Sequence, residues 1–464
     1  MSKTSKPLSF IEKVGYALGD TAANIAWRTI GPFLPIFYTD VFGLGTAAVA
    51  TLLFVIRLGD GITDLGMGLL ADRTKTKWGK FRPWLLWTAL PFGVALILQF
   101  TTPNLSLTGK LIWAYATSIF YTLAYTANNI PYSALMGVMT GDVKERTELS
   151  SYRFFGAYLG GIIATIGVIA LVDILGKGNE NLGYQYTMYV LAAILASFSI
   201  ITFLTTRERV PAPENNSLQL KEDLKDLINN KAWLILLFVG FVFVTYNIIK
   251  GSSTMYYFSH YVNNTDSVFG RLTNWGGKNG LAGLYLLSLL VMSMISTLFA
   301  PFLTRFFGKV RLFIGCILLS AFFAGAMYWL EPNEVGKMFT FGLLSEFGAG
   351  IMPILFFAML GDAADYSEYK NGRRATALVF SAGTFAMKFG SGVAGAITLT
   401  ILNFYNYDGQ AITKTPEMLE GIRLNMSLVP AIFVLVGIIA LLFYPLNRTK
   451  MEQIETELAY RRKK

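Results

Sequence analysis

Cysteine and histidine are almost absent from this chain of 464 residues, which has one of each, Cys316 and His260. A single cysteine excludes an internal disulfide bond and a cysteine-rich metal site. A single histidine argues against a histidine-based metal or catalytic centre, and a position at a helix end or in a loop is the simpler interpretation of His260. Because an enzyme needs a nucleophile with a base, or a metal site, we expect neither an enzyme nor a cofactor.

Charged residues are also scarce, at 15% of the chain against about 25% in typical soluble domains. Hydrophobic residues make up 53%. Apolar runs of about 20 residues, each long enough to cross a bilayer, recur along the whole sequence. The polar start MSKTSKPLSFIEK is not followed by a short apolar core with a cleavage site, so we expect no removed signal peptide. The composition therefore predicts an all-α protein embedded in the lipid bilayer.

The apolar runs predict twelve transmembrane helices in two halves of six. The predicted spans are 15–38, 46–70, 83–101, 109–137, 151–174, 185–206, 232–260, 281–304, 311–330, 336–360, 375–403 and 422–445. The chain then divides into an N-terminal half at 1–206, a linker at 207–231, a C-terminal half at 232–445 and a tail at 446–464. The linker starts as proline-rich coil and continues as an amphipathic helix; we interpret it as a tether, with regulation as the alternative.

Lysine and arginine are concentrated in alternate loops. The loop at 71–82 and the linker carry five basic residues each, and the chain ends in RRKK, whereas the loops between them hold mostly single basic residues. The positive-inside rule places the basic segments and both termini in the cytoplasm, in a cell inner membrane. The net charge of +10 is then a topology signal, and we expect no nucleic-acid partner.

The two halves resemble each other weakly. Gly141-Asp142 follows the fourth span and Gly361-Asp362 follows the tenth, so the two pairs are separated by close to half the chain. GLLADRTKTKWGK, after the second span, has a degraded counterpart, APFLTRFFGKVR, after the eighth. Repeated six-helix halves are typical of transporters whose central site opens alternately to the two sides of the membrane.

Charged residues interrupt the second span. Arg57, Asp60 and Asp64 recur at helical spacing and share one helix face. A charge at the bilayer centre costs about 2.5–3.5 kcal/mol, so such groups are kept where they face a protein-lined cavity. Two carboxylates one turn apart, with Thr63 beside them, supply oxygen ligands for a small cation such as Na⁺, or either can carry a proton. A salt bridge with Arg57 that binds nothing is the structural alternative.

Polar stripes also mark the first and fourth spans. The fourth span carries Thr122, Thr126, Asn129 and Ser133 on one face. They predict a polar cavity wall, with hydrogen bonding between helices as the alternative. The first span carries Asp20, Asn24, Trp27 and Arg28. An aromatic ring beside hydrogen-bonding groups suits a sugar.

Three further charges lie deep in the C-terminal spans: Lys250, Glu346 and Lys388. Neutralisation of Glu346 by Arg28 or Lys388 is one interpretation, and direct contact with a substrate is the other.

Several of these motifs identify a family. In order, they are YTD at 38–40, the D-x-x-x-D pair at Asp60 and Asp64, KWGKFRPW, NIPYSAL, DYSEYK and the late Lys388. Together they resemble the glycoside–pentoside–hexuronide:cation symporters, major-facilitator-type transporters that include the melibiose permease. The resemblance covers essentially the whole chain, and it implies cation-coupled sugar uptake by alternating access.

The resemblance also implies roles for individual residues. Asp60, Asp64 and Thr126 match the family's ligands for the coupling cation, and Thr63 stands where the melibiose permease has asparagine, which leaves Na⁺ and H⁺ both open. Asn24 and Asn129 stand in place of its two sugar-binding aspartates, and Ser133 in place of a tryptophan. Tyr125, Arg153 and Lys388 match further sugar-site positions, and Asp20, Trp27 and Arg28 are sugar-site candidates from the polar stripe of the first span. Without the aspartate pair we expect a pentoside, xyloside or glucuronide rather than melibiose.

Charged residues near the loops are candidate cytoplasmic gate residues, with solvated loop charges as the alternative: Arg73, Lys80, Asp142, Arg146, Asp365 and Arg374. Two rival functions use the same architecture. A lysolipid carrier would need a long apolar groove, which the polar stripes disfavour. A membrane sugar receptor would keep the binding site without transport.

Overall fold

The computed structural model describes the chain except for residues 1–6, 141–142, 210–226, 264–268, 270–271, 274–278, 372–375 and 462–464. The described part contains fourteen α-helices. In chain order they are α1 Phe10–Ile36, α2 Thr46–Arg73, α3 Arg82–Gln99, α4 Leu107–Met139, α5 Val143–Gly176, α6 Glu180–Thr205, α7 Lys231–Tyr256, α8 Gly280–Phe307, α9 Lys309–Ala326, α10 Val335–Asn371, α11 Thr376–Phe404, α12 Pro416–Met426, α13 Leu428–Leu442 and α14 Arg448–Arg461.

Each predicted span overlaps one of these helices or, for the last span, two of them. Eight helical segments of the described chain are long and apolar enough to cross a membrane: α5 to α11 and the stretch Pro416–Leu442. The first four predicted spans form helices α1 to α4, which are not among those eight. The structure therefore shows an all-helical membrane protein, and the number of twelve spans stays a prediction.

Two predicted spans differ from the observed helices: one is divided, and the other is too short. The span at 422–445 is divided, because α12 ends at Met426 and α13 starts at Leu428. Pro430 lacks the N–H that would continue the hydrogen-bond ladder across this point. The tenth helix continues to Asn371, well beyond the predicted end at 360, because a polar sequence can continue a helix after its apolar stretch ends.

Corresponding helices in the two halves end in the same way. The first continues into a π-helical turn, Phe37–Val41, and the seventh into another, Tyr257–Tyr261. The two turns have the same separation in the chain as the two Gly-Asp pairs. Gly79 and Gly308, shortly before α3 and α9, both have positive φ angles, 112° and 74°. These shared backbone features support the internal repeat.

The chain forms two compact units. Unit 1 consists of Met1–Glu214, Ser267–Leu287 and Tyr407–Lys414. Unit 2 consists of Asn215–Asp266, Ser288–Asn406 and Thr415–Lys464. The amphipathic helix predicted for the linker falls largely on residues 210–226, outside the described part of the chain.

Close packing of α1 on α5 organises unit 1. A Cβ atom at Gly160 would lie 2.4 Å from the carbonyl oxygen of Thr21 and 2.9 Å from Cβ of Asn24. A Cβ atom at Gly156 would lie 2.3 Å from the carbonyl oxygen of Ala17. Only residues without a side chain allow this approach, as in small-x-x-x-small contacts between membrane helices. The contact brings the polar stripe of α1 next to the start of α5.

The predicted tail contains a helix that packs on unit 2. Met451, Ile454 and Leu458 of α14 are buried in the core of that unit, and their spacing forms one apolar stripe. The helix contacts α10, and Lys450 Nζ lies 5.4 Å from the centre of the Tyr366 ring. The tail is therefore part of the folded unit.

Candidate functional site

Two of the predicted cation ligands, Asp64 and Thr126, meet where α2 faces α4 in unit 1. Thr126 Oγ1 donates a hydrogen bond of 3.1 Å to Asp64 Oδ1. Thr126 is 3% exposed, so its hydroxyl lies inside the helix bundle rather than on its surface. A buried hydroxyl beside a carboxylate offers oxygen atoms from two helices, which are the hard ligands that a small cation prefers.

The second carboxylate of α2 is paired within its own helix. Arg57 Nη1 lies 2.8 Å from Asp60 Oδ2, and Asp60 is 5% exposed. The salt bridge expected as the structural alternative is thus present, but it joins residues of one helix and does not tie helices together. Thr63 lies beside the pair, and its hydroxyl donates to the backbone oxygen of Asp60 at 2.9 Å.

Trp27 of α1 connects this region with α4. The guanidinium carbon of Arg57 lies 4.7 Å from the centre of the Trp27 ring, within the range of a cation–π contact. The Trp27 and Tyr125 rings are 6.0 Å apart. Tyr125 is the residue directly before Thr126. The contact between Trp27 and Tyr125, both predicted for the sugar, therefore lies next to a residue predicted for the cation.

The other polar residues of α1 form a network with α5. Asn24 Nδ2 donates to the backbone oxygen of Asp20 at 2.9 Å and to its Oδ2 at 3.3 Å. Arg153 Nε lies 3.2 Å from Asp20 Oδ1, and Arg153 Nη2 donates a long hydrogen bond of 3.5 Å to Ser133 Oγ. Asp20 is 6% exposed, so the guanidinium of Arg153 supplies the counter-charge of the Asp20 carboxylate within the helix bundle.

The remaining predicted sugar residues are distributed more widely. Asn129 lies on α4 one turn from Tyr125 and is half-buried, whereas Arg28 at the end of the α1 stripe is exposed. Lys388 belongs to unit 2, on α11. Unit 1 therefore brings together the candidates from α1, α2, α4 and α5.

Glu346 has a partner that the sequence analysis did not name, and its neutralisation by Arg28 or Lys388 stays a prediction. Glu346 of α10 lies next to Lys250 of α7, with 3.5 Å between Nζ and Oε2. This pairing could not be foreseen from helical spacing, because the two residues belong to helices that are far apart in the chain.

The predicted gate residues lie at several places in the fold, and their role stays a prediction. Arg73 ends α2 and is exposed, and Asp365 lies half-buried on α10. Arg146 lies on α5. Asp142 and Arg374 fall outside the described residues. The backbone N–H of Lys80 donates to Glu208 Oε2 at 2.9 Å.

Glu208 is an important polar residue that sequence reasoning missed. Its carboxylate also accepts from the backbone N–H groups of Phe81 at 2.7 Å and Arg82 at 3.0 Å. Backbone N–H groups at a helix start attract an anion, because the helix itself offers them no acceptor. The only signal in the sequence was an acidic residue within the basic segment RER, which lies far from the loop it contacts.

Lys309 and Asp362 form a further contact that was not predicted. Lys309 Nζ lies 2.7 Å from both carboxylate oxygens of Asp362. Both residues belong to the segments that the internal repeat singled out, FFGKVR and Gly361-Asp362. That repeat was the available signal for their proximity.

Comparisons with known proteins give a consistent result. Residues 15–448 match the family described as MFS/sugar transport protein. The inner membrane symporter YicJ of Escherichia coli strain K12 is 35% identical over 460 residues, which cover 98% of this chain and 96% of that protein. The isoprimeverose transporter of Lactiplantibacillus pentosus is 32% identical over 452 residues, covering 96% and 90%.

A solved structure is similar in fold at low sequence identity. It is that of a bacterial homologue of the human lysosomal transporter Spinster, in an inward-facing and unoccupied conformation. The TM-score is 0.69 at 13% identity, with 95% of this chain and 97% of that chain covered.

Proposed function

The chain belongs to the MFS/sugar transport protein family, whose members are transporters and not enzymes, and on that premise we propose that it is a cation-coupled glycoside symporter. Its all-helical membrane fold is that of the major facilitator transporters. The observation that carries the proposal is the contact between Asp64 and Thr126, which joins α2 to α4 inside unit 1. Two of the three residues that match the family's cation ligands thus lie together.

The coupling cation binds among Asp60, Asp64 and Thr126, with Thr63 beside them. Na⁺ would use their oxygens directly, while H⁺ would bind one carboxylate. The Arg57 side chain supplies the counter-charge of Asp60 when the cation is absent. A cation that arrives at Asp60 therefore competes with Arg57.

The sugar binds beside this site, along the polar stripe of α1. Trp27 and Tyr125 supply ring surfaces, and Asn24, Asn129 and Arg153 supply hydrogen-bond donors. Arg28, Asp20 and Lys388 complete the proposed set. Neutral asparagines beside cations suit a pentoside, a xyloside or an anionic glucuronide. The relative named as an isoprimeverose transporter supports a sugar-type substrate.

Arg57 gives the two sites a physical connection. Its guanidinium contacts Asp60 in the cation site and Trp27 in the sugar site. A cation that displaces Arg57 from Asp60 changes the surroundings of Trp27, so cation and sugar affinities are coupled. The coupling free energy is reciprocal, because each ligand changes the other's affinity by the same factor.

The symporter lies in the inner membrane with both termini in the cytoplasm, as the name of the relative YicJ and the basic loops support. Alternate opening of the two halves exposes the site to each side. Arg73, Lys80, Asp142, Arg146, Asp365 and Arg374 are the proposed gate residues near the cytoplasmic face.

Thermal unfolding of the purified protein tests the cation site without knowledge of the sugar. A ligand that binds only the folded state raises stability by about RT ln(1 + [L]/Kd). We expect NaCl, but not choline chloride, to raise the unfolding temperature of the wild type and not that of Asp64→Asn. A sodium effect that is equal in the variant would show that the site is misplaced. A wild type that does not respond to sodium would favour coupling to H⁺.

Counterflow in proteoliposomes tests transport and substrate class. The panel contains a xyloside, a pentoside, a glucuronide and a galactoside. We expect exchange of at least one of the first three. Exchange of galactosides alone would contradict the substrate class, and saturable binding without exchange would identify a receptor.

A further inference from the structure

Two loops have the same backbone feature at corresponding places of the internal repeat. Lys177 follows α5 and Asn406 follows α11, and both have left-handed backbone conformations, with φ angles of 46° and 53°. Their separation in the chain equals that of Gly79 and Gly308. The loop between α5 and α6 and the loop between α11 and α12 are therefore counterparts.

The second of these loops contains an insertion. In the first loop, only Gly178 lies between the left-handed residue and Asn179, whose side chain caps α6. In the second loop, Tyr407–Lys414 lies between the left-handed residue and Thr415, whose side chain caps α12. We call this insertion the 407–414 segment. It belongs to unit 1, whereas the chain on both of its sides belongs to unit 2.

Lys414 organises the 407–414 segment from within. Its Nζ donates hydrogen bonds to the backbone oxygens of Asp408, Gly409 and Ala411, at 2.8, 3.0 and 3.1 Å. The same Nζ lies 5.0 Å from the centre of the Tyr407 ring, within the range of a cation–π contact. One ammonium group thus holds three carbonyl groups and an aromatic ring, which gives the segment a defined shape.

The 407–414 segment docks on the π-helical turn at the end of α1. The Tyr407 hydroxyl donates to Asp40 Oδ2 at 2.8 Å and lies 3.0 Å from Oδ1. Gln410 Nε2 donates to the backbone oxygen of Asp40 at 2.6 Å. A Cβ atom at Gly409 would lie 2.5 Å from the backbone oxygen of Thr39, so the absence of a side chain allows this approach. Side-chain and backbone contacts together place the segment on Asp40.

The π-helical turn is itself fixed inside unit 1. Tyr38 is fully buried, and its hydroxyl donates to Gln99 Oε1 of α3 at 2.9 Å. Gln99 Nε2 donates in turn to Ser118 Oγ of α4 at 3.3 Å. Lys110 of α4 donates to the backbone oxygen of Phe42, directly after the turn, at 2.8 Å. The segment therefore docks on a surface that two further helices hold in place.

Short connections make the docked segment sensitive to movement of the neighbouring helices. Tyr405 and Asn406 alone join α11 to the segment, and Thr415 alone joins the segment to α12. An extended chain spans at most about 3.3–3.6 Å per residue. A movement of α11 or α12 that exceeds this short reach must break the contacts with Asp40.

We infer that the 407–414 segment is a latch that leaves Asp40 whenever the protein opens to the outer side of the membrane. The inference rests on the proposed function, which supplies alternate opening and places the loops after the first and eleventh spans on the outer side. In the closed state the segment stays docked. In the outward-open state Tyr407 and Gln410 leave Asp40, and water takes their place. The docking contacts therefore lower the population of the outward-open state.

Thiol labelling from the outer side tests the latch. The background protein carries Cys316→Ala and Thr122→Cys, which leaves one thiol on the polar face of α4. A membrane-impermeant maleimide is added to right-side-out vesicles, and its reaction rate measures outward opening. We expect Tyr407→Phe to raise the rate about tenfold, because a hydrogen bond to a charged group is lost from the closed state alone. Gln410→Ala, at an exposed position, should raise the rate as well.

The matched control is Tyr405→Phe, which removes a tyrosine hydroxyl outside the segment and should leave the rate unchanged. Hydrogen exchange of the backbone amides of residues 407–414 measures the docking itself. Exchange should become faster in Tyr407→Phe and not in Tyr405→Phe. Exchange that Tyr407→Phe leaves unchanged would overturn the inference. Faster exchange without faster labelling, or no labelling in any of the proteins, would overturn it too.

The latch and the symporter proposal can fail separately, because neither labelling nor hydrogen exchange needs a sugar. Faster labelling in Tyr407→Phe, together with no counterflow for any sugar, would support the latch and refute the symporter. Counterflow in the wild type, together with equal labelling of the background protein and Tyr407→Phe, would refute the latch and leave the symporter proposal in place.

Discussion

Units 1 and 2 contain corresponding helices but differ in how they hold charge inside the membrane. In unit 1, Arg57 and Arg153 lie 2.8 Å and 3.2 Å from their aspartate partners. In unit 2, Lys250 lies 3.5 Å from Glu346. Arginine has a planar guanidinium with five donors, whereas lysine has a single ammonium group. Unit 1 therefore holds its buried aspartates with arginine at hydrogen-bond distance, and unit 2 holds Glu346 with a lysine at a longer distance.

The largest expected loss of stability comes from breaking the Asp20–Arg153 pair of unit 1. Asp20→Asn leaves Arg153 charged without its partner, so we expect a loss of about 3 kcal/mol, at the low end of the range for broken buried pairs because Arg153 is about a third exposed. Lys250→Met should cost less, since the pair that it breaks is longer, at 3.5 Å, and Glu346 keeps the hydrogen bond from Ser293. Chemical denaturation of both variants in detergent measures the difference.

The exposed pair of Lys337 and Glu334 provides the control for that comparison. Lys337→Gln should leave stability unchanged, because an exposed pair contributes little. Equal losses for Asp20→Asn and Lys250→Met would contradict the distinction between the arginine pair of unit 1 and the longer lysine pair of unit 2.

The next effect concerns Glu208 in unit 1. Glu208→Gln removes the charge that accepts three backbone N–H groups, and we expect a loss of about 1.5–3 kcal/mol of local stability around the loop at 74–81. Limited trypsin digestion at Lys75 and Lys77 should become faster. Glu452→Gln, which alters an exposed pair with Arg448, is the control. Unchanged digestion of Glu208→Gln would show that the carboxylate does not hold this loop.

A smaller effect tests the hydroxyl of the cation site. Thr126→Ala should weaken Na⁺ binding about tenfold, or about 1.4 kcal/mol, because one oxygen ligand is lost. Thr126→Ser should restore binding, and Thr122→Ala, one turn away on the same helix, should leave it unchanged. The sodium-dependent rise in unfolding temperature is the measurement. Similar sodium responses in the alanine and serine variants would exclude Thr126 as a ligand.

The smallest expected effect is a change in how stability depends on pH. It concerns Glu12, which lies at the start of α1 and outside the predicted span. Burial by itself would raise the pKa of Glu12. Hydrogen bonds from Arg209 and from the backbone N–H of Ser9 outweigh burial and lower this pKa below its usual value. A lowered pKa means that this stabilisation is present above the unfolded pKa and is lost as the pH falls through the folded value. Glu12→Gln should therefore lose less stability on acidification than the wild type. Parallel acid unfolding curves would contradict this.

Much of the fold could be predicted from local sequence. Apolar runs of bilayer length positioned the helices, and the Gly-Asp pairs disclosed the repeat, because both signals depend only on nearby residues or on fixed separations. The division at Ser427 and the extension of α10 to Asn371 were missed, since hydropathy does not detect a proline within an apolar run or the polar end of a helix.

The sequence by itself determined an all-helical membrane protein and its family, and it supplied the candidate residues for a cation site and a sugar site. Only the tertiary structure decided the partners: Thr126 for Asp64, Arg153 for Asp20, Lys250 for Glu346 and three backbone N–H groups for Glu208. In each case the partners belong to different helices or loops that lie far apart in the chain. Helical periodicity determines which residues share a face, but it does not determine which faces meet, because that depends on the packing of whole helices.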